Sequence, residues 1–395
     1  MNDIFIINDI LGEIINHLSP ISMIIFSITN KNIHQLCQQN QYYQIFNQNR
    51  QQMDCGLYYT MIINNNRLYT MGVFNGGQLA KESEITYSPT SIATNVISVH
   101  SGDRHCIYLT SQNVYGMGSN LYGQLGLSIL PDYKVTILPI NVHDVLSIFC
   151  AADRTFILTK EGLYGLGYNG HGELGLPVAL TSPFGPVGPE KYYDMPTKIN
   201  FNEQVLQVCG GNYHTIVRTK HNYYGFGTNR SAQLGLPYND LILRNVDTVK
   251  ASCGSDHTIL LSIDGAYGLG SNVSGQLGLG LINYAYKPTK ILSNVIDLCC
   301  GTDHSLLLTI DALYVCGSSY YGELGLGDHK TQHKPVKLSI KLPIYFSCGY
   351  GHSIIRTQHD NNGEYYGIGS NRYSQLGLGK YKNKKYNRPQ LLKFK

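Results

Sequence analysis

Residues 300–327 read CGTDHSLLLTIDALYVCGSSYYGELGLG, and close copies of this stretch recur along most of the 395-residue chain. The stretch consists of an apolar run, a short turn containing Asp311, a second apolar run and a glycine-rich loop. Apolar runs of about five residues bounded by turn residues favour buried strands, because helices need about ten or more periodic residues. Recurrence of one such unit predicts a repeat architecture.

Two anchor residues count the copies. The first anchor is the glycine at the end of the second apolar run, which recurs at Gly72, Gly118, Gly167, Gly227, Gly270, Gly317 and Gly369. The second anchor lies in the turn before the first apolar run, and its copies are Tyr59, His105, Thr155, His214, His257, His304 and His352. The two anchors alternate strictly along the chain, so both predict seven repeats.

Each repeat has room for four strands. Asn, Asp and Gly separate the first two apolar runs, and these residues tolerate the positive φ of tight hairpins. A later run carries a proline, such as Pro288 or Pro335, which fits an edge strand because proline donates no hydrogen bond to a sheet. Four strands in about 45 to 50 residues make one propeller blade. We therefore predict an all-β, seven-bladed β-propeller with four-stranded antiparallel blades over residues 51–395.

The repeat carries a family signature. The pairing of C-G-x-D-H-[ST] with L-Y-x-x-G-S-N-x-x-G-Q-L-G-L-G resembles the regulator of chromosome condensation repeat. That family folds as a seven-bladed β-propeller, and the resemblance covers about residues 51–395. The absence of Trp excludes the tryptophan–aspartate repeat, and no Gly-Gly doublet recurs in register as it does in Kelch repeats.

Residues 1–50 lie outside the repeat. Helical spacing of apolar residues and the break at Pro20 predict two or three short helices, which cannot bury a core alone. The run I-N-D-I-L-G-E-I-I-N-H-L-S-P-I-S-M at residues 7–23 resembles an F-box, although Ile6-Ile7 replaces the family's Leu-Pro and Ile33 its terminal Trp. The resemblance implies docking of a Skp-type adaptor through Ile10, Leu11, Ile14, Leu18, Pro20 and Met23. The alternative is a helical cap packed on the propeller.

Composition indicates a reduced, soluble protein. Cys55, Cys253, Cys300 and Cys348 occupy one position in four repeats, which is typical of a small buried side chain rather than of disulfides. The sequence shows no basic signal-peptide region, and its apolar stretches are too short to span a bilayer. We expect an intracellular monomer, cytoplasmic or nuclear, that makes no contact with a membrane.

The recurring residues do not favour catalysis. A catalytic histidine is normally unique, whereas five repeats share this one, so we expect each histidine to bond the turn that it closes. The cysteine–histidine spacing lacks a C-x-x-C pair, and no Walker lysine follows the glycine-rich loops. We therefore expect no enzyme activity, no cofactor and no metal site.

The turns before the histidines offer a binding surface. If all seven open on one face, they form a partly acidic ring, and the resemblance implies contact with a Ran-type GTPase through Asp103, Asp256 and Asp303. The alternative is simple turn capping by aspartate. The candidates for partner contact in the turns are Asp103, Arg104, Asp153, Arg154, Asp256 and Asp303. An insertion at residues 177–196 adds the aromatic candidates Phe184 and Tyr192.

The C-terminal tail is basic. Residues 380–395 carry seven of the 30 Lys and Arg residues and no acid, so the remaining chain has 30 − 7 = 23 bases against 26 acids. We expect the tail to complete the last blade by pairing with the strand around residues 51–55. The segment from Lys380 to Arg388 then remains as an exposed basic loop, which is too short to predict nucleic-acid binding.

The leading hypothesis is a non-catalytic scaffold. An F-box would dock a Skp-type adaptor, and the propeller would hold a target for ubiquitin transfer by a cullin-type ligase. Two alternatives remain open: a guanine-nucleotide exchange factor for a Ran-like small GTPase, and a chromatin-binding propeller.

Overall fold

The computed structural model describes most of the repeat region. The chain divides into two units, Met1–Gln48 and Asn49–Lys395. The described residues all belong to the second unit and are 52–73, 85–127, 132–140, 142–177, 181–182, 185–186, 192–220, 222–235, 248–341, 343–358, 363–379 and 385–394. The predicted N-terminal helices and Phe184 lie outside these residues.

Apart from one two-stranded pair, the described strands form seven antiparallel sheets, here called blades 1 to 7 in chain order. The first, or inner, strands are Met53–Cys55, Val96–Ser101, Val145–Ala151, Val205–Gly210, Thr248–Cys253, Val295–Cys300 and Pro343–Cys348. The second strands are Tyr59–Asn64, His105–Thr110, Arg154–Thr159, His214–Thr219, His257–Ser262, His304–Thr309 and His352–Thr357. The third strands are Arg67–Val73, Val114–Ser119, Gly162–Tyr168, Tyr223–Gly227, Gly265–Ser271, Leu313–Gly317 and Glu364–Ser370.

The fourth, or outer, strands complete six of the blades. They are Ile85–Thr94, Asp132–Ile137, Tyr192–Ile199, Tyr284–Ser293, Gln332–Lys337 and Lys385–Leu391. In blade 4 the corresponding residues, 236–247, lie outside the described part of the chain. Pro288 and Pro335 fall in outer strands, which pair on one side only, as the missing proline donor requires. The predicted seven-bladed propeller is confirmed.

The ring closes by packing and not by a shared sheet. Each inner strand lies beside the inner strand of the next blade, and that of blade 7 lies beside that of blade 1. The predicted pairing of the C-terminal tail with residues 51–55 is wrong. Lys385–Leu391 pairs with the third strand of its own blade, and Met53–Cys55 pairs with Tyr59–Asn64. The first and the last described strands of the propeller therefore each pair within their own blade.

Apolar clusters fill the spaces between neighbouring blades. One cluster joins Ile62 and Met71 of blade 1 with Ile354 and Leu376 of blade 7. The hydroxyl of Tyr365 in blade 7 also donates to the carbonyl of Ile63, at 3.2 Å. Burial of each large aliphatic side chain contributes about 1.5–3 kcal/mol. The closing junction is thus an apolar interface of the same kind as the other junctions.

The anchor glycine of each blade is required by its backbone geometry. All seven anchors have φ between 91° and 110°, a region that residues with a Cβ rarely adopt. At Gly270 an added Cβ would also lie 2.6 Å from the carbonyl oxygen of Asp256. The anchor therefore lets the third strand approach the turn that precedes the second strand.

Two further features lie outside the blades. The insertion after blade 3's third strand contains a short hairpin, in which Thr181–Ser182 pairs with Gly185–Pro186. A single 3-10 turn, Val142–Asp144, precedes the inner strand of blade 3. Within the described ranges, no helix has the length and apolar character that a membrane crossing demands.

Candidate interaction face

The turn before each second strand and the glycine-rich loop after each third strand lie at the same end of their blade. Strand alternation dictates this, because the chain reverses three times within one antiparallel blade. The turns and loops of seven blades therefore build one face of the ring, here called the turn face. All predicted partner-contact residues in the turns lie at this face.

At five of the seven junctions, a histidine of one blade bonds to the next blade rather than to its own turn. The Nε2 atom of each lies 2.8–3.1 Å from a hydroxyl oxygen in the following blade. The pairs are His105–Thr155, His214–Thr258, His257–Ser305, His304–Ser353 and His352–Thr60. His352 bonds blade 1, so this series includes the junction that closes the ring.

Each of these hydroxyls has a second partner. It donates to a main-chain carbonyl in the loop of the histidine's own blade, at 2.7–3.4 Å. The carbonyls belong to Gln124, Gln233, Gln276, Glu323 and Gln375. Because the hydroxyl hydrogen is used there, the hydroxyl oxygen accepts from Nε2–H. One hydroxyl thus ties both the turn and the loop of the preceding blade.

The other two junctions use different chemistry. The hydroxyl of Tyr59 donates to the carbonyls of Gly102 and His105 in blade 2, at 2.9 and 2.5 Å. In blade 3 the strand register pairs Arg154, not Thr155, with the anchor Gly167. The assignment of Thr155 to the histidine position is therefore wrong, and Arg154 occupies that position.

Arg154 is fully buried and spans the junction between blades 3 and 4. Its guanidinium donates to the carbonyls of Asn212 and Gly211, at 2.8 and 2.5 Å. The carboxylates of Glu173, Asp103 and Asp153 lie near enough to stabilise its charge. A buried charge needs such partners. Arg154 is consequently a structural residue here and not a free contact residue.

Burial keeps four of the bonded histidines neutral. It lowers the pKa of His105, His257 and His352 to about 3 and that of His304 to about 4. Each ring donates from Nε2 and has no exposed surface, so none of the four is placed to exchange protons with a bound substrate. The described residues also contain no group of three His, Cys, Asp or Glu side chains arranged to hold a metal ion.

The aspartates of the turn face form two separate groups rather than a ring. Burial and the neighbouring Asp153 raise the pKa of Asp103 to about 6. Burial, with a contribution from Asp256, likewise raises the pKa of Asp303. The first group lies on blades 2 and 3, beside the exposed Arg104, and the second lies on blades 5 and 6.

Aromatic side chains occupy the sector between those groups. Five tyrosines of blades 6, 7 and 1 form a connected series, here called the tyrosine arc: Tyr373, Tyr58, Tyr350, Tyr321 and Tyr320. Ring centroids of successive members lie 4.3, 6.1, 6.1 and 4.9 Å apart. Tyr350 and Tyr320 are 40 % and 66 % exposed. The arc therefore presents a large aromatic surface to solvent.

Two cations border the tyrosine arc. The Nζ of Lys385 lies 3.8 Å from the ring centroid of Tyr320, and the guanidinium of Arg372 lies 5.6 Å from that of Tyr373. Lys385 and Arg388 belong to the outer strand of blade 7, so the expectation of a basic loop extending to Arg388 is wrong. Residues 380–384 lie outside the described chain.

A second aromatic series continues across blades 2 to 4. It contains Tyr122, Tyr168, His171 and Tyr213, with successive centroids 5.0, 6.2 and 5.4 Å apart. Tyr192, predicted from the insertion, is half-buried and begins the outer strand of blade 3. The sequence analysis missed both series. Their only signal is a tyrosine or histidine recurring beside the anchor turns and inside the glycine-rich loops.

Comparisons with known proteins agree with this architecture. The family model of the regulator of chromosome condensation (RCC1) repeat matches residues 161–218, 264–308 and 311–355, and a second model of that repeat matches residues 96–124. The F-box domain model matches residues 7–44, which include all six predicted adaptor-binding residues. Comparison with curated proteins gave no match.

Solved structures share the fold. The crystal structure of Prp20p from Saccharomyces cerevisiae is 19 % identical, with a TM-score of 0.71 over 89 % of this chain and 88 % of that chain. The crystal structure of human WBSCR16 is 20 % identical, with a TM-score of 0.67 over 78 % of this chain and 87 % of that chain. Identities this low indicate a common fold and leave function open.

Proposed function

We propose that this chain, which contains RCC1 repeats and an F-box domain, is the substrate-recognition subunit of a cullin-type ubiquitin ligase. The F-box binds a Skp-type adaptor, and the turn face of the propeller binds the target. The protein acts inside the cell as a scaffold and performs no chemistry itself. The observation that carries the proposal is the presence, in one chain, of a match to the F-box domain and a propeller with an exposed aromatic face.

The tyrosine arc supplies the target contact. Tyrosine and arginine are enriched where protein interfaces gain most of their binding energy, because they combine a large apolar area with a polar group. The arc offers five tyrosines with Arg372 and Lys385 at its edge. Its members come from three blades, so the folded ring is needed to assemble it.

The adaptor contact is tested with purified full-length protein and a recombinant Skp-type adaptor. Leu11→Asp together with Leu18→Asp places two charges on the predicted apolar docking surface, so we expect binding to fall at least a hundredfold. Leu281→Asp is the matched control, because Leu281 is 85 % exposed on the propeller and its replacement should leave binding unchanged. Undiminished binding by the double variant would exclude this docking mode.

The target contact is tested in cells by comparing ubiquitinated proteins bound to each variant. Tyr350→Ala with Tyr320→Ala removes the two most exposed rings of the arc and should abolish target capture while retaining the adaptor. Tyr286→Ala is the control, because Tyr286 is 73 % exposed on the outer strand of blade 5, away from the arc. Equal target capture by all the variants would place recognition elsewhere.

An exchange factor for a Ran-like small GTPase is the second proposal. The solved structure of Prp20p is reported with its binding properties to Gsp1p and histones. The acidic groups around Asp103 and Asp303 offer a contact for a basic GTPase surface. Acceleration of nucleotide release from a Ran-like GTPase, lost in Asp256→Asn with Asp303→Asn, would favour this function. Histone binding that weakens steeply with salt would instead favour a chromatin role.

A further inference from the structure

Two cysteine thiols meet beside the central channel at the junction of blades 4 and 5. Cys209 and Cys253 lie near the ends of neighbouring inner strands, with their Sγ atoms 3.0 Å apart. Both are free thiols and both are partly exposed. A disulfide needs an S–S separation of about 2.0 Å. A shift of about 1 Å therefore separates the contact from a bond.

Equivalent places at other junctions hold different chemistry. The carboxylate of Asp54 accepts from the amide of Ser101, at 2.7 Å, and the hydroxyl of Ser252 accepts from the amide of Cys300, at 3.0 Å. Cys299 and Cys348 also meet, but Cys348 is only 8 % exposed. Among the described junctions, the pair at blades 4 and 5 thus combines two adjacent thiols that are both partly exposed.

The surrounding bonds hold the two strands in register. The side chain of Gln207 accepts from the amide of Ala251 and donates to its carbonyl, both at 3.0 Å. On the other side, His214 bonds Thr258 at 2.9 Å. These contacts flank the thiol pair and hold the two inner strands side by side while the sulfur atoms approach.

The two thiols are electrostatically unequal. The hydrogen bond with Cys253, together with burial, raises the pKa of Cys209. Burial also acts to raise the pKa of Cys253, but the hydrogen bond from Cys209 and the nearby His214 bring it below its ordinary value. The thiolate is the form that attacks disulfides. Cys253 is therefore the attacking residue and Cys209 the residue that completes the bridge.

We propose that Cys209 and Cys253 form a reversible disulfide that ties blade 4 to blade 5 when the protein meets a small disulfide oxidant such as oxidised glutathione. The Cys253 thiolate attacks one oxidant sulfur, breaks the oxidant S–S bond and releases one thiolate. Cys209 then loses its proton, attacks Cys253 Sγ and releases the second thiolate. The protein loses two electrons and two protons, which leave as two thiols of the reduced oxidant.

The bridge bears on the turn face. Cys209 lies shortly before the turn that holds Tyr213, and Cys253 lies shortly before the turn that holds Asp256. A covalent tie between the inner strands fixes the spacing of these two turns. It also closes a loop of the unfolded chain between residues 209 and 253, which stabilises the folded ring.

The test uses the reduced full-length protein in glutathione buffers of increasing oxidising strength. Samples are quenched by alkylation, digested without reduction and analysed by mass spectrometry. We expect a peptide pair joined through Cys209 and Cys253, the loss of two alkylatable thiols, a rise in Tm of a few degrees, and reversal of all three by dithiothreitol.

Variants separate this bridge from other oxidation. Cys209→Ser and Cys253→Ser should each abolish the thermal shift, whereas Cys299→Ser should retain it. Oxidised wild-type protein that carries glutathione on these cysteines without a bridge would overturn the proposal. So would a bridge between Cys299 and Cys348 that forms first, or ten thiols that all remain alkylatable. These three outcomes that would overturn the proposal are measured on the wild-type protein and do not depend on the folding of any variant.

Discussion

Thr215 and Thr258 occupy the same position in successive blades and have different partners. Thr258 accepts from Nε2 of His214, at 2.9 Å, and donates to the carbonyl of Gln233, at 2.9 Å. Thr215 lies in blade 4, and blade 3 before it carries Arg154 at the histidine position. The Thr215 hydroxyl is buried without a hydrogen-bond partner. Both side chains are fully buried. Replacing each by valine is therefore a matched test of the junction.

The two replacements should change the free energy of unfolding by clearly different amounts. Thr258→Val leaves Nε2–H of His214 and the carbonyl of Gln233 unpaired, and each buried unpaired group costs about 1–3 kcal/mol. We expect a loss of about 2–4 kcal/mol in the free energy of unfolding. Thr215→Val removes a hydroxyl that is already unpaired, so we expect a change between zero and a gain of about 1 kcal/mol. Valine and threonine have nearly the same volume, so cavity terms cancel.

Urea unfolding of the full-length variants at pH 7, followed by circular dichroism and tyrosine fluorescence, measures this difference. The comparison rests on the midpoints and requires unchanged m-values, which show that the variants unfold from equally compact states. Equal losses in the two variants would refute the assignment of the histidine–hydroxyl bond as the main polar tie between blades. A larger loss in Thr215→Val would refute it as well.

Three further predictions concern the same scaffold. Arg154→His should keep a higher Tm than Arg154→Leu. An imidazole at this position faces the unpaired hydroxyl of Thr215, whereas leucine offers no donor and leaves the two carbonyls unpaired. Equal Tm values would contradict this. The buried histidines, with pKa values lowered to about 3–4, bind protons mainly in the unfolded chain, so stability is complete above about pH 6.5 and falls toward pH 4. Glu323 and Asp103, with pKa values raised to about 7 and about 6, oppose this loss in part, and urea midpoints that rise on acidification would contradict the predicted loss. Gly270→Ala should lower Tm far more than Gly280→Ala. Both glycines have positive φ, but a Cβ added at Gly280 meets no atom within 4 Å. Similar losses of Tm would show that backbone strain, and not steric collision of the added Cβ, determines the loss of stability.

The repeat made most of the fold predictable. The recurring anchors determine blade number and strand order, because each copy must fold in the same way. The prediction for blade 3 is wrong by one residue, because Arg154 and not Thr155 pairs with the anchor glycine, and arginine is rarely fully buried. Main-chain carbonyls of the next blade satisfy that arginine, and such partners are invisible in a single repeat.

Contacts between blades cannot be predicted from the sequence of one repeat. The histidine was expected to close its own turn, yet its partner lies in the next repeat, as in His304 and Ser353. The tyrosine arc was missed for the same reason. Tyr58 and Tyr373 are far apart in sequence and belong to blades 1 and 7, and only closure of the ring brings their centroids to 4.3 Å. Each tyrosine alone is indistinguishable from an ordinary loop residue.

At one position of each blade, the main chain serves the fold while the side chain is available for binding. The residue immediately before each second strand accepts a hydrogen bond at its main-chain carbonyl, at 2.7–3.0 Å, from the end of the third strand in all seven blades. The residues at this position are Tyr58, Arg104, Asp153, Tyr213, Asp256, Asp303 and Gly351. Since the main chain makes this structural bond, the side chain is set by its local surroundings: Asp153 lies beside Arg154, and an added Cβ at Gly351 would lie 2.5 Å from the ring of Tyr321. The seven blades therefore differ chemically where their side chains reach the turn face, and exchanges at the exposed Arg104 and Tyr213 should change binding while Tm stays nearly constant.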